Sequence, residues 1–170
     1  LAIPVVTVLF PTLSARAGGA DSDGLRHTIV SGLNALTFTM LPVTAGLILA
    51  APDVVRVLFE RGAFGPTETL RTANVLVWYA AGMVFFAWRE HLNRAYYALQ
   101  DTKTPVVAAT VGVGINIGLN LLLIGRYGAA GLAFSTSVAT LVHCLLLLWP
   151  LNRRVGRVFG SGMLVDMAKM

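Results

Sequence analysis

Two neighbouring apolar segments carry the polar side chains that could do chemistry inside this chain. Asn116 and Asn120 are the strongly polar residues of the run from Val106 to Ile124. At about 100° per residue they lie on one side of a helix. Polar groups at membrane depth turn toward partners, so this side is predicted to face the interior of a bundle.

The following apolar segment carries a matching polar stripe. Thr136, Thr140 and His143 are spaced at i, i+4 and i+7, which places them on one helix face. The turn between the two segments is short, so we predict that the two helices are antiparallel neighbours. Their polar stripes can then face each other across one interior.

These stripes predict a candidate site for a monovalent cation. Asn116 and Asn120 would supply amide oxygens, Thr136 a hydroxyl oxygen and Leu132 a backbone carbonyl. Hard cations take oxygen ligands, and transporters gather them from side chains and carbonyls near the middle of the membrane. The alternative is a hydrogen-bond network that only joins the two helices.

Arg89 and Arg94 are candidate contacts for the phosphate of a transported lipid. A guanidinium group matches phosphate geometry with paired N–H donors. The structural alternative is that both side chains extend to lipid headgroups at the end of their helix.

Motifs of enzymes are not found. His27, His91 and His143 are far apart, Cys144 is the single cysteine, and no zinc-protease or nucleophile-elbow spacing occurs. We therefore predict no catalytic residue, no enzyme, no cofactor other than a candidate sodium ion, and no metal site beyond that monovalent cation.

Gly114 and Gly118 form a Gly-x-x-x-Gly pair on the side of their helix opposite Asn116. Small residues at this spacing let another helix backbone approach closely in a membrane. We predict that both are helix-packing positions.

The composition identifies the elements that must position these residues. The chain has 170 residues, of which 56% are hydrophobic and 12% charged, and its mean hydropathy is +0.73. Soluble domains are typically about 45–50% apolar and about 25% charged. We predict an all-α, polytopic transmembrane helix bundle. Because the chain begins at Leu1 without an initiator methionine, we expect it to be a piece of a longer protein.

The pattern of apolar runs divides the chain into elements. A transmembrane bundle is predicted over 1–160, and 161–170 begins an unassigned segment. The predicted elements are the end of a helix at about 1–13, helices at about 25–50, 67–99, 104–124 and 129–151, and an interfacial helix at about 54–60. Pro52 and Asp53 are expected to separate the interfacial helix from the preceding span.

Positive charges differ between the two ends of the bundle. One side carries nine, Arg16, Arg26, Arg89, Arg94, Lys103, Arg153, Arg154, Arg157 and Lys169, and the other carries four, Arg56, Arg61, Arg71 and Arg126. Cytoplasmic loops are enriched in Lys and Arg. The side with nine is therefore predicted to face the cytoplasm.

Three stretches, Phe10–Ser14, Val57–Phe64 and Arg94–Val106, resemble the MurJ/MviN family of lipid II flippases. The resemblance implies a multi-pass protein of the bacterial inner membrane, in the multidrug/oligosaccharidyl-lipid/polysaccharide exporter superfamily. This chain would then run from the end of helix 8 through helix 12, which is most of the second lobe of a two-lobed flippase. The family moves lipid II by alternating access.

The same resemblance implies the partners. They are lipid II (the undecaprenyl-linked peptidoglycan precursor), membrane lipids and the rest of the same chain, with no nucleic acid. It also implies a sodium ion bound by an Asn and an Asp four residues apart on helix 11 and a Thr on helix 12. Asn116 and Thr136 fit that pattern, whereas Asn120 stands where the family has Asp, so the ion should bind more weakly or not at all.

Two other functions are kept as alternatives. A drug or cation antiporter of the same superfamily would share these helices, but such proteins typically carry carboxylates in the middle of a span, and no Asp or Glu is found there. A membrane scaffold with no transport role is the third hypothesis.

Overall fold

The computed structural model describes residues 22–155, and these residues form three long helices. The helices are α1 (Ser22–Phe59), α2 (Pro66–Ala98) and α3 (Lys103–Val155). Each is long and apolar enough to cross a membrane. No strand occurs in this part of the chain. The predicted all-α class is confirmed, whereas the segments predicted at 1–13 and 161–170 lie outside the described residues.

Helix α3 is a hairpin of two antiparallel halves that meet at one residue. Gly128 has φ 55° and ψ −136°, which is not a helical conformation. Only glycine adopts such backbone angles without strain. Contacts between Asn116 and Thr136, and between Gly112 and His143, run in opposite directions along the two halves. The helices predicted at 104–124 and 129–151 therefore exist and are antiparallel, but the turn between them is shorter than predicted.

Helix α1 corrects the prediction of a separate interfacial helix. It continues without a break through Pro52 and ends at Phe59, so residues 54–59 are its last turns. A proline inside a helix removes one backbone hydrogen bond and crowds the carbonyl group four residues earlier, so the helix continues only where other contacts compensate. Ala51 and Val55 are buried against Ala73 of α2, and this packing holds the segment in the helix.

The connection between α1 and α2 places the start of α2 earlier than the sequence predicted. The N-cap is Gly65, and Pro66 occupies the first helical position, one residue before the predicted start at about 67. A carboxylate oxygen of Glu68 accepts the backbone N–H of Gly65 at 3.1 Å. This is the reciprocal half of a capping box, and it satisfies one of the free donors at the helix start.

The turn between α2 and α3 is fixed by Asp101. Its Oδ1 accepts the backbone N–H groups of Lys103 (3.1 Å) and Thr104 (3.0 Å). Its Oδ2 accepts the Thr104 hydroxyl at 2.8 Å and lies 2.7 Å from Nη1 of Arg154. Asp101 thus caps the first half of α3 and links it to the end of the second half.

Helix α2 lies between α1 and α3, and the core forms three groups along it. At the end near Asp101, the core includes Ile29 of α1, Tyr96 of α2 and Leu147 of α3. Leu36, Met40 and Ala87 form the middle group. The cluster of Ala51, Val55 and Ala73 forms the opposite end. This central position of α2 presents one of its faces to both halves of α3.

A polar cleft between α2 and the two halves of α3

A cleft of about 230 Å³ opens where α2 faces the α3 hairpin. We call it the polar cleft. Its polar lining comes from one residue of α2, one of the first half of α3 and three of the second half: Arg89, Asn116, Thr136, Thr140 and His143. The cleft thus joins the two predicted polar stripes and adds an arginine to them.

Helical periodicity brings these side chains together. Thr136, Thr140 and His143 follow the i, i+4, i+7 spacing and occupy one face, as predicted. Gly112 lies one turn before Asn116, and a Cβ at Gly112 would be 3.5 Å from Cβ of His143. This is an ordinary van der Waals distance, so the two halves of α3 are neighbours at this level.

A chain of hydrogen bonds crosses between the two halves. Nδ2 of Asn120 donates to Oδ1 of Asn116 at 3.0 Å, and Nδ2 of Asn116 donates to Oγ1 of Thr136 at 3.4 Å. The Thr136 hydroxyl donates in turn to the carbonyl oxygen of Leu132 at 3.0 Å. All four residues predicted as cation ligands therefore belong to one network.

One side-chain oxygen of this network accepts no hydrogen bond. Oδ1 of Asn120 is buried without a hydrogen-bond partner, whereas Oδ1 of Asn116 and the carbonyl of Leu132 already accept hydrogen bonds. No group of three His, Cys, Asp or Glu side chains that could hold a metal occurs among residues 22–155. Arg89 also lines the same cleft, and its positive charge opposes a cation there.

Arg89 is held in the cleft by an aromatic ring. Its guanidinium carbon lies 4.3 Å from the centroid of the Phe86 ring, one helical turn earlier. Cation–π contact of this kind is favourable and stronger where water is excluded. Arg94, the other candidate phosphate contact, does not line the cleft. The structure therefore separates the two arginines that the sequence paired.

Gly114 and Gly118 lie away from every described helix. A Cβ built at either position would meet nothing within 4 Å. A close approach between helices occurs instead at Gly82 of α2, where an added Cβ would clash with the side chain of Ser137. A packing partner for Gly114 and Gly118 would have to come from outside residues 22–155, and their packing role stays a prediction.

Sequence reasoning missed that Arg89 joins the polar stripes of α3. The i, i+3 spacing of Phe86 and Arg89 could have predicted that the arginine side chain packs on an aromatic ring of its own helix. No pattern in the sequence indicated that α2 and α3 pack against each other. One contact that joins these two helices lies at Gly82, where Oγ of Ser137 donates to the carbonyl oxygen of Trp78 at 2.7 Å.

The fold and the cleft define a class: a multi-pass α-helical membrane protein with a cationic, hydrogen-bonding cleft inside its bundle. The family model described as lipid II flippase MurJ matches residues 1–170. Because the match covers the whole chain, the chain belongs to the MurJ family of lipid II flippases.

Individual relatives agree with this assignment. The probable lipid II flippase MurJ of Vibrio cholerae serotype O1 is 37% identical over 145 residues, which are 85% of this chain and 28% of the relative. The lipid II flippase MurJ of Thermosipho africanus is 32% identical over 148 residues, 87% of this chain and 30% of the relative. The chain thus spans about three tenths of the length of these relatives.

A solved structure shows the same fold. A structure of lipid II flippase MurJ in an inward closed conformation superposes with a TM-score of 0.79 at 28% sequence identity. The match covers 99% of this chain and 36% of that protein.

Proposed function

We propose that this chain is part of a flippase that moves lipid II from the cytoplasmic to the periplasmic leaflet of the bacterial inner membrane by alternating access. The membership in the MurJ family along residues 1–170 supports this function. The relatives named above carry the lipid II flippase name over most of this chain's length. The chain would form most of the second lobe and would act with the rest of the same protein.

The polar cleft is the observation that ties this function to particular residues. Lipid II carries a pyrophosphate, which needs a cationic, hydrogen-bonding environment to leave the headgroup region. Arg89 supplies a positive charge, and Asn116 and Thr136 supply polar groups in the same cleft. We propose that Arg89, rather than Arg94, contacts the phosphate of the lipid during its passage.

Transport of this kind needs no covalent chemistry, so we propose that the protein is not an enzyme. An antiporter of the same superfamily would be expected to place a carboxylate in the cavity. No Asp or Glu lines the polar cleft among the described residues. The cationic character of the cleft favours an anionic lipid over a proton or cation as its cargo.

Depletion and replacement in cells test this function. A bacterium depleted of its own lipid II flippase would express the full-length protein that contains this chain. An impermeant enzyme that cleaves lipid II at the periplasmic surface would measure how much lipid II has crossed. We expect cleavage to return to the undepleted level. Lipid II that stays protected although the protein is present in the membrane would contradict the proposal.

Sodium is the one ion that we propose for this chain, at the cluster of Asn116, Asn120, Thr136 and Leu132. The unpartnered Oδ1 of Asn120 supports it, and the neighbouring Arg89 predicts weak affinity. The test is the thermal stability of the full-length protein in sodium against choline at equal ionic strength. A sodium-specific rise that Asn116→Ala removes supports the site. Equal stability in both salts would leave the cluster as a hydrogen-bond network.

A further inference from the structure

A second groove lies at the end of the α3 hairpin where Asp101 and Arg154 meet. It has a volume of about 320 Å³ and is apolar along most of its length, with Val107, Val111, Leu146 and Trp149 among its walls. Lys103 stands at one end of it. We call it the basal groove.

On the first half of α3, the basal groove and the polar cleft lie on different sides. On the first half of α3 it is lined by Val107 and Val111, whereas the polar cleft is lined by Gly112 and Asn116. At about 100° per residue these two pairs lie roughly on opposite sides of the helix. The side chains of Val107 and Trp149 are 62% and 64% exposed, so the groove opens to the surroundings of the described helices.

Two positive charges stand at the mouth of the basal groove. The Lys103 ammonium forms no ion pair among residues 22–155. The guanidinium carbon of Arg153 lies 4.5 Å from the centroid of the Trp149 ring, which forms one wall. Asp101, the neighbouring carboxylate, is already bound to Arg154 and to the start of α3. The mouth therefore keeps a net positive charge.

We propose that the basal groove binds one anionic phospholipid, with an acyl chain along the valines and Trp149 and its phosphate at Lys103 and Arg153. An occupant of this groove must be apolar along its length and negative at one end, because the groove has the complementary pattern. Basic pockets between transmembrane helices bind anionic headgroups in this way. The charge asymmetry predicts that this end faces the cytoplasm, so the lipid belongs to the cytoplasmic leaflet.

The substrate of the proposed flippase is also an anionic lipid, but the position of the groove separates the two. Arg89 and the rest of the polar cleft share no lining residue with the basal groove. A lipid in the basal groove would not enter the interior of the bundle. We therefore assign the groove to a phospholipid that stays bound and stabilises the α3 hairpin.

Thermal stability with defined lipids tests the proposal. The full-length protein would be purified in a neutral detergent and supplied with phosphatidylglycerol or with phosphatidylcholine of the same acyl chains. We expect phosphatidylglycerol to raise the melting temperature more than phosphatidylcholine. The double substitution Lys103→Gln and Arg153→Gln should remove most of that difference. Lys103→Arg should keep it, since it keeps the charge.

Arg126→Gln is the matched control, because Arg126 is an exposed arginine at the opposite end of the same hairpin. It should leave the lipid-specific shift unchanged. Equal shifts with the two lipids, or a full shift in the double variant, would overturn the proposal. Loss of the phosphatidylglycerol shift when lipid II is added in excess would also overturn it, because the groove would then belong to the substrate.

Discussion

Arg89 shows how a charged residue is kept inside an apolar bundle. Phe86, one helical turn earlier on α2, lies under its guanidinium, with 4.3 Å between the guanidinium carbon and the ring centroid. The polar groups of α3 complete its surroundings in the polar cleft.

Gly82 lies at a tightly packed contact between α2 and α3. A Cβ there would clash with the Ser137 side chain and lie 3.2 Å from its Cα. Ser137 cannot turn away without losing its hydrogen bond to Trp78. We expect Gly82→Ala to lower the free energy of unfolding by about 1–3 kcal/mol, as overpacking does.

The measurement is the thermal stability of the full-length protein in detergent. Gly46→Ala is the control, because a Cβ at Gly46 meets nothing within 4 Å and the position lies within α1. Equal melting temperatures for Gly82→Ala and Gly46→Ala would show that α2 and α3 are not in close contact at this point.

The ionisation of Asp101 predicts how the stability of the protein depends on pH. The N–H and hydroxyl of Thr104, and then Arg154, stabilise its carboxylate and hold its pKa below the usual value. An unfolded Asp has a pKa of about 3.9. The group therefore adds stability above about pH 4, and that stability is lost as the pH falls through the lower, folded-state pKa.

We expect Asp101→Asn to reduce this acid dependence. Melting temperatures of the full-length protein would be compared between pH 6 and pH 3. The difference between the native protein and Asp101→Asn should be largest at pH 6 and shrink toward pH 3. A constant difference across this range would mean that the charge of Asp101 does not contribute.

At the scale of the elements, the α3 hairpin was the part that the sequence predicted best. Its two apolar runs, their polar stripes and the glycine between them are all local patterns, and local patterns are visible in one sequence. The end of α1 was predicted wrongly because Pro52 and Asp53 resemble a helix stop. Burial of Val55 against α2 decides that region, and such tertiary contacts leave no periodic signal.

The turn of α3 depends on Gly128. With φ 55° and ψ −136°, a residue with a side chain would be strained. We expect Gly128→Ala to destabilise the protein by about 1–3 kcal/mol. Gly125→Ala should have little effect, because Gly125 is helical and has open space around its Cα. Similar folded yields and melting temperatures for the two variants would contradict the observed turn.

At the scale of the whole molecule, α2 is the central helix and both of its neighbours pack on it. The outward faces of α3 are apolar and exposed, with Val107, Leu121 and Leu122 as examples. Because the chain spans about three tenths of its relatives, these faces border lipid or other parts of the full protein.

The orientation of the bundle can be tested directly. Single cysteines would replace Thr102, between α2 and α3, and Ala63, between α1 and α2, in a full-length protein whose Cys144 is changed to Ala. Both positions are exposed. The charge asymmetry predicts that an impermeant maleimide labels Cys at 63, but not at 102, in intact spheroplasts. The reverse pattern of labelling would show that the bundle is inverted.

The proposed transport of lipid II through a cleft that includes Arg89 is tested most directly in proteoliposomes. The rate at which fluorescent lipid II crosses the bilayer would be measured for the full-length protein, Arg89→Gln and Arg126→Gln at equal protein content. A charge-assisted hydrogen bond contributes about 1.5–3 kcal/mol, so Arg89→Gln should slow transport about tenfold or more. Arg126→Gln should transport at the native rate. A native rate for Arg89→Gln, or no lipid II transport by the unchanged protein, would contradict this account.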